Sequence, residues 1–241
     1  MLPCIARAAC LAILLIAGAA RANDLADFNA AAEAAEAHNR VAIGYLRTGN
    51  VDLASIEIDR LRAAWRQLGE RFNGKRPDMF EGSNYYVTAM TDIATRLVTA
   101  DMMLNSGHGE VTQQALLAIR NDLYKLRKSA GIVVLADCVY DANNAMNALM
   151  DYNGRALDWN SADTRAGIAK DAARYGSMLE RCDAMAGVAV QKAPEFRRLI
   201  DGARASLTLI PKAIATRDGD LLHRVLIELR SFDNLLAFRF G

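Results

Sequence analysis

The chain has 241 residues, of which 52% are hydrophobic, 24% charged and 7% aromatic, and its formal net charge is +1. These values are typical of a globular chain and exclude extended disorder, collagen-like repeats and a dense disulfide framework. The near-neutral charge gives no electrostatic reason to expect a nucleic-acid partner, because binding to phosphates requires a basic face.

The N-terminal segment has the features of an export signal. Arg7 precedes an apolar run over residues 8–20, and the sequence at 20–22 fits the small-x-small site of signal peptidase. We therefore expect residues 1–22 to be a cleaved signal peptide, and residues 23–241 to form a single mature domain in the periplasm. Cleavage would leave 27 basic and 28 acidic residues, a net charge of −1. No later segment is apolar for long enough to predict a membrane span in the mature chain.

Apolar residues recur at steps of three and four along most of the chain, which predicts α-helices. The spacing is clearest over residues 53–68, 111–126 and 221–236. No run alternates with a period of two for long enough to require a strand. The β-like string at 132–135 continues into the apolar stretch 136–150, so we interpret it as the start of a buried helix.

Breaks at residues 48–50, 106–109, 157–161 and 218–220 divide these helices into pairs. Gly and Asn in such breaks provide the left-handed backbone that often follows a helix C-terminus. Ser161 and Asp220 are the expected N-caps of the sixth and eighth helices, Pro194 should open the seventh, and Pro211 should kink it. The predicted fold is all-α, with about eight helices as four antiparallel helical hairpins, in a compact bundle or a short array.

The hairpins have a similar spacing, which is typical of an internal repeat. An offset of 168 aligns residues 46–68 with 214–236, and an offset of 58 aligns them with 104–126. The third hairpin aligns only weakly. Because any two amphipathic helices align about this well, a true repeat and a chance similarity are both left open.

Two cysteines, Cys138 and Cys182, remain after the predicted cleavage. Each lies 22 residues from Asn160, the centre of the third turn, so an antiparallel hairpin would place them opposite each other. A structural disulfide is the expected state in an oxidising compartment. Free buried thiols, or thiolates that bind a soft metal, are the alternatives.

The third hairpin is also rich in methionine. Thioether and thiolate groups are soft ligands that suit Cu(I), whereas methionine also commonly fills irregular cores. The candidate copper site consists of Cys138, Met146, Met150, Met178 and Cys182. No cofactor is predicted, and copper or a non-covalent haem held by His and Met are the alternatives. The three histidines His38, His108 and His223 are not at ligand spacing, and a Cys-x-x-Cys-His motif for covalent haem is absent.

The fifth helix carries an unusual number of Asp and Asn residues, which are poor helix formers. Four of them lie at helical spacing on one face, namely Asp137, Asp141, Asn144 and Asp151. Asn143 and Asn147 lie beside this face. Three explanations are open: a solvated stripe, a ligand site, or a buried network with arginines such as Arg120, Arg127, Arg174 or Arg181.

The sequence contains no pattern that identifies an enzyme. It has no Gly-x-Ser-x-Gly, no phosphate-binding glycine-rich loop and no dinucleotide fingerprint. It therefore favours an exported, non-enzymatic helical binding, adaptor or accessory protein with an unknown protein or small-molecule partner. The main alternative is a periplasmic metal- or haem-handling bundle that uses the third hairpin. A copper site requires Cys138 and Cys182 to be reduced, whereas the first interpretation expects them to be joined.

Overall fold

The computed structural model describes the backbone of residues 5–72 and 76–241, and side chains from residue 24 onward. The predicted signal peptide at 1–22 lies outside the residues whose side chains are described, so its cleavage stays a prediction. The described chain is helical throughout its regular structure. The helices are α1 (Ile5–Arg47), α2 (Val51–Phe72), the short 3-10 helix η1 (Asp78–Phe80), α3 (Asn84–Asn105), α4 (Gly109–Ser129), α5 (Leu135–Met150), α6 (Ala162–Met185), α7 (Val188–Gln191), α8 (Pro194–Leu207), α9 (Ile210–Thr216) and α10 (Gly219–Phe240).

The prediction of an all-α fold with about eight helices in four hairpins is confirmed. The hairpins are formed by α1 with α2, α3 with α4, α5 with α6, and α8 with α10. Gly49 and Gly107 have positive φ angles of 75° and 79° in the first two turns, as the left-handed backbone of these turns requires. The β-like string at 132–135 is not a strand, but its interpretation as the start of a buried helix was wrong, because α5 begins only at Leu135 and Val133 is 52% exposed.

Side-chain caps fix the starts of several helices. Ser161 Oγ accepts a hydrogen bond from the Thr164 N–H at 3.2 Å, which confirms Ser161 as the N-cap of α6. The expectation for α10 was wrong, because its N-cap is Asp218 and not Asp220. Asp218 Oδ1 accepts from the Leu221 N–H at 2.8 Å and so satisfies one of the free N–H groups of the first turn.

The predicted seventh helix is divided at Pro211 rather than kinked. Helix α8 ends at Leu207, and α9 begins at Ile210. A proline has no N–H to continue the hydrogen bonds of α8, but it is tolerated in the first turn of a new helix. Pro194 occupies the first turn of α8 in the predicted way.

The chain divides into two compact units, Met1–Ile132 and Val133–Gly241. In the first unit α1, α2, α3 and α4 pack in a closed ring, each against the next. In the second unit α5, α6, α8 and α10 do the same. Each unit has its own cluster of buried apolar side chains. The expectation of one mature domain over residues 23–241 stays a prediction.

The offsets of the suggested repeat bring buried positions together. Every buried position of α2 from Ala54 to Leu68 aligns with a buried position of both α4 and α10. Ile58, for example, aligns with Leu116 and Leu226, all of which are almost fully buried. The second helices of three hairpins therefore present the same register to their cores, which both a true repeat and a shared helical period would produce.

An aromatic cluster closes one part of the first core. The Phe28 ring makes edge-to-face contacts with Phe72 and Phe80 at centroid distances of 5.3 and 5.4 Å. Tyr86 packs at 5.1 Å from Phe80 and 5.9 Å from Phe28. Such aromatic pairs contribute about 0.5–1.5 kcal/mol beyond their burial. The cluster thereby holds η1 and the start of α3 against α1 and α2.

A buried ion pair joins α1 to α4 within the first unit. Arg127 donates to both carboxylate oxygens of Glu36, at 3.0 and 3.2 Å, and both side chains are at most 4% exposed. Nearby, Asn39 Nδ2 donates to the Leu116 carbonyl oxygen at 3.0 Å. Burial raises the pKa of Glu33, and the Arg40 guanidinium offsets part of this rise. The interior of this unit therefore contains specific polar contacts as well as apolar ones.

Breaking this pair should destabilise the protein strongly. Arg127→Met leaves the Glu36 carboxylate buried without its partner, and we expect the free energy of unfolding to fall by about 3–5 kcal/mol. The double variant Glu36→Leu with Arg127→Met should recover most of that loss. Urea unfolding followed by circular dichroism measures both. Arg62→Met, which removes an exposed pair with Asp101, is the control and should change stability by less than about 1 kcal/mol. A small loss for Arg127→Met alone would contradict this account.

Candidate functional site

The structure confirms that the two cysteines lie at disulfide distance, as predicted. Cys138 on α5 and Cys182 on α6 have their Cα atoms 5.4 Å apart, and their sulfur atoms are joined. Both residues are fully buried in the second core. The link closes a loop with a sequence separation of 44 residues and ties the two helices of the third hairpin together.

The methionines of the candidate copper site belong to the same core. Met146 is fully buried, and Met150 and Met178 are partly buried against it. Joined cysteines offer no thiolate to Cu(I), so this arrangement is that of a packed core. Among the described residues there is no group of three or more His, Cys, Asp or Glu side chains suited to a metal ion. Binding of copper or haem stays an expectation of the sequence alone.

The four polar residues predicted as one face of α5 lie in different surroundings. Asp137 is buried, and its carboxylate accepts a hydrogen bond from the Val134 N–H at 3.2 Å, which stabilises the start of the helix. Asp141 is partly exposed and lies 3.6 Å from Arg181 on α6. Asn144 is exposed.

The fourth residue, Asp151, lies just past the end of α5. It is 72% exposed and 3.9 Å from Arg155. The predicted face therefore combines a helix cap, an ion pair across the hairpin and two solvated positions. Of the arginines considered as its partners, Arg127 pairs with Glu36 instead.

A partly buried polar network of α5 is formed by the two asparagines beside the predicted face, of which Asn143 is half-buried and Asn147 is exposed. Asn143 Nδ2 donates to Asp233 Oδ2 at 2.5 Å, and Asp233 is fully buried on α10. Arg230 donates to Asp233 at 3.2 Å and to Asn147 Oδ1 at 2.8 Å. Burial and the charge of Asp233 raise the pKa of Tyr175 well above its ordinary value. The network joins α5 to α10 and has the character of a structural contact.

One groove of about 860 Å³ lies in the second unit, between α6 and the segment α8–α9. Its walls are mostly small or apolar, and Gly176, Leu207 and Pro211 are among its lining residues. An ion pair between Arg204 and Glu180 at 3.5 Å lies at its rim. None of its described lining residues has a buried side-chain polar atom that lacks a hydrogen bond. The described polar groups of this groove, among them Arg204 and Glu180, therefore lie where solvent or each other can satisfy them.

A second groove, in the first unit, combines apolar walls with polar groups. This α2–α3 groove has a volume of about 690 Å³. It continues into a smaller cavity of about 450 Å³ that shares Trp65, Arg66 and Ala94 with it. The residues that line the α2–α3 groove are Trp65, Arg66, Gly69, Glu70, Arg76, Tyr86, Val87, Met90, Thr91 and Ala94.

Tyr86 sets this groove apart from the first one. The residue is 5% exposed, and its hydroxyl is buried without a hydrogen-bond partner among the described residues. Burial raises the pKa of Tyr86, and the nearby Arg76 guanidinium lowers it part of the way back. Arg76 donates to the Ser83 carbonyl oxygen at 3.5 Å. A buried hydroxyl of this kind requires an explanation, and an absent ligand or water is one.

The sequence contains one signal of this groove, in the pattern of α3. The buried face of α3 includes Ala89, Ile93 and Leu97. A second apolar stripe runs beside it, and its Val87 and Val98 are 56% and 60% exposed. A helix with two apolar stripes, only one of which faces the core, has a face that is free for another contact.

Comparison with protein-family models, with curated proteins and with solved structures finds no match for this chain. Among the described helices, none has both the length and the apolar content that crossing a bilayer requires.

Removing the Tyr86 hydroxyl should leave the stability of the protein unchanged or slightly higher. Tyr86→Phe deletes a buried polar group that forms no hydrogen bond with a described residue, so the free energy of unfolding should not fall by more than about 0.5 kcal/mol. The matched control is Tyr152→Phe, because the Tyr152 hydroxyl donates to Asp171 at 3.0 Å. That variant should lose about 1 kcal/mol. Urea unfolding compares the two, and a larger loss for Tyr86→Phe would show a hidden structural partner.

Cys138→Ser should lower the melting temperature without reductant. Losing a link across 44 residues removes up to about 4 kcal/mol in the chain-entropy description. Calorimetry of both proteins, with and without dithiothreitol, measures the difference. Reduction should lower the melting temperature of the unchanged protein and have little effect on the variant. Equal melting temperatures without reductant would contradict a stabilising disulfide.

Proposed function

We propose that the protein is an exported, non-enzymatic helical binding protein and that the α2–α3 groove is its ligand site. The observation that carries this proposal is the buried Tyr86 hydroxyl, which has no hydrogen-bond partner among the described residues, at a groove with both apolar and polar walls. An unpaired buried polar group lowers the stability of the free protein. It is therefore favoured where a ligand completes its hydrogen bond, because the same group then contributes to affinity and orientation.

The size and lining of the groove support this proposal. Its volume of about 690 Å³ lies within the range of about 300–1,000 Å³ typical of small-molecule sites. Trp65 and Met90 supply apolar surface, while Arg66, Arg76 and Tyr86 supply a few polar groups. Such sites commonly combine a mostly apolar lining with a small number of orienting polar groups.

The same lining favours binding over catalysis. No Ser, His or Cys is among the described residues that line the groove, and Glu70 is its single carboxylate. Nucleophilic catalysis usually requires a nucleophile beside a base, and acid–base catalysis requires a positioned proton donor or acceptor. We therefore propose a ligand that is held and released unchanged.

The cysteine pair supports the proposed periplasmic location. Disulfides persist in exported proteins and are rare in reducing compartments. The apolar N-terminal run with its cleavage sequence points to the same compartment. The paired cysteines also support a binding protein over a copper-handling one, since Cu(I) would require thiolates.

A plug in the groove tests this function. A Cβ atom added at Gly69 would meet no heavy atom within 4 Å, so Gly69→Phe should place its ring in the groove without disturbing the fold. The probe is N-phenyl-1-naphthylamine, an uncharged dye that binds apolar sites. In a Trp159→Phe background Trp65 is the one remaining tryptophan, and its quenching by the dye reports binding at the groove.

We expect the dye to quench Trp65 saturably, and Gly69→Phe to weaken its binding at least about tenfold, or about 1.4 kcal/mol. The matched control is Gly176→Phe, which places a ring in the groove of the second unit, where the nearest atom lies at an ordinary 3.4 Å. This control should leave Trp65 quenching unchanged. If the affinity of Gly69→Phe for the dye equals that of the protein without this substitution, the α2–α3 groove is not the ligand site.

A further inference from the structure

The polar end of the α2–α3 groove lies at the N-terminus of α3. Ser83 is the N-cap of this helix, and Arg76 contacts its carbonyl oxygen. Tyr86 lies in the first turn of α3 and lines the groove, and it is close enough to Arg76 for the guanidinium to lower the pKa of its hydroxyl part of the way back. A guanidinium group, a phenol hydroxyl and the positive end of a helix dipole all favour an anion.

The charges along the groove also favour an anion. Arg66 and Arg76 form no ion pair with any described carboxylate, and Glu70 is the one acid of the lining. The continuation of the groove holds a carboxylate, Asp59, and also Arg62, which is already paired with Asp101 at 2.9 Å and with Asp59 at 3.6 Å. Among its described residues, the larger cavity therefore holds two arginines without a carboxylate partner and one carboxylate, Glu70, that opposes an anion.

The α3 side of the groove forms a mostly apolar track, which Thr91 interrupts. Val87, Met90 and Ala94 line the larger cavity, and Ala94 and Val98 line the smaller one. Trp65 contributes to both. From residue 87 to residue 98 the helix rises by about 16 Å. A track of this length suits an extended alkyl chain, and each methylene that it buries strengthens binding by about fourfold.

We infer that the ligand is an anionic amphiphile, whose carboxylate or phosphate head binds Arg76 and the Tyr86 hydroxyl and whose alkyl chain follows the α3 track. This inference rests on the proposed function of the groove. The Tyr86 hydroxyl has almost no surface accessible to solvent, so the head group must displace the side chains that cover the hydroxyl in order to bond to it. The carboxylate of a fatty acid and the phosphate of a lipid share the chemistry that the site recognises.

The test uses four probes on the full chain with Trp65 as the single tryptophan. Dodecanoate and dodecyl phosphate carry the anionic head with a chain, dodecyltrimethylammonium carries a cationic head with the same chain, and acetate carries the head alone. All are titrated below their critical micelle concentrations, and Trp65 emission is followed. We expect both anionic amphiphiles to bind saturably, the cation to bind at least about tenfold more weakly, and acetate at least about a hundredfold more weakly.

Three variants locate the head group. Tyr86→Phe and Arg76→Gln should each weaken dodecanoate binding about fivefold or more, because each removes a hydrogen bond to a charged group. Glu70→Gln should strengthen it by about twofold, because it removes the opposing charge. The control Arg204→Gln, at the rim of the other groove, should have no effect. Tighter binding of dodecyl phosphate than of dodecanoate would assign the site to phosphate-headed lipids, and the reverse order to fatty acids.

Equal affinity for the cationic and anionic amphiphiles, or an unchanged affinity in Tyr86→Phe, would overturn the inference. The Gly69→Phe variant then separates the claim that the groove binds ligands from the claim that it prefers anionic ones. If the plug still blocks the uncharged dye, the groove binds ligands and only the anionic preference is wrong. If no probe responds to the plug, the proposed function fails together with the inference.

Discussion

The packing of the Tyr86 ring determines what the α2–α3 groove presents to a ligand. Phe28 and Phe80 hold the ring within 5.1–5.9 Å, and Phe28 in turn packs against Phe72. A ring held on these sides cannot turn its hydroxyl to solvent without breaking the aromatic cluster. The cost of burying the hydroxyl is therefore offset by the apolar contacts of the ring, and the hydroxyl stays buried without a hydrogen bond to any described residue.

The two units achieve specific packing by different means. The first places charged side chains inside its ring of helices, where Glu36 and Arg127 must find each other because neither can be left unpaired in a buried position. The second joins α5 to α6 covalently through Cys138 and Cys182. It also uses the buried Asp233 to connect α5 with α10. Each device selects one register of neighbouring helices, which apolar packing alone specifies less well.

The fold was largely predictable because helical periodicity and turn residues are local properties. Steps of three and four indicated the helices, and the glycines of the turns indicated the hairpins. The errors were local as well. Asp218 and Asp220 are both good N-caps, and the choice between them depends on where the chain leaves α9. A kink at Pro211 was predicted, but the helix ends and a new one begins, because a turn at residues 208–209 accommodates the proline.

Residue spacing along the chain is enough to establish that this protein is all-helical, that its hairpins pair in order, and that Cys138 faces Cys182. Spacing is visible without coordinates, which is why these features could be predicted. Two others emerged only from the folded chain: Asn143 reaches Asp233, and the Tyr86 hydroxyl is buried with no hydrogen-bond partner among the described residues. Burial and hydrogen bonding depend on residues from other helices, such as Asn143 and Asp233, which are 90 positions apart in the sequence.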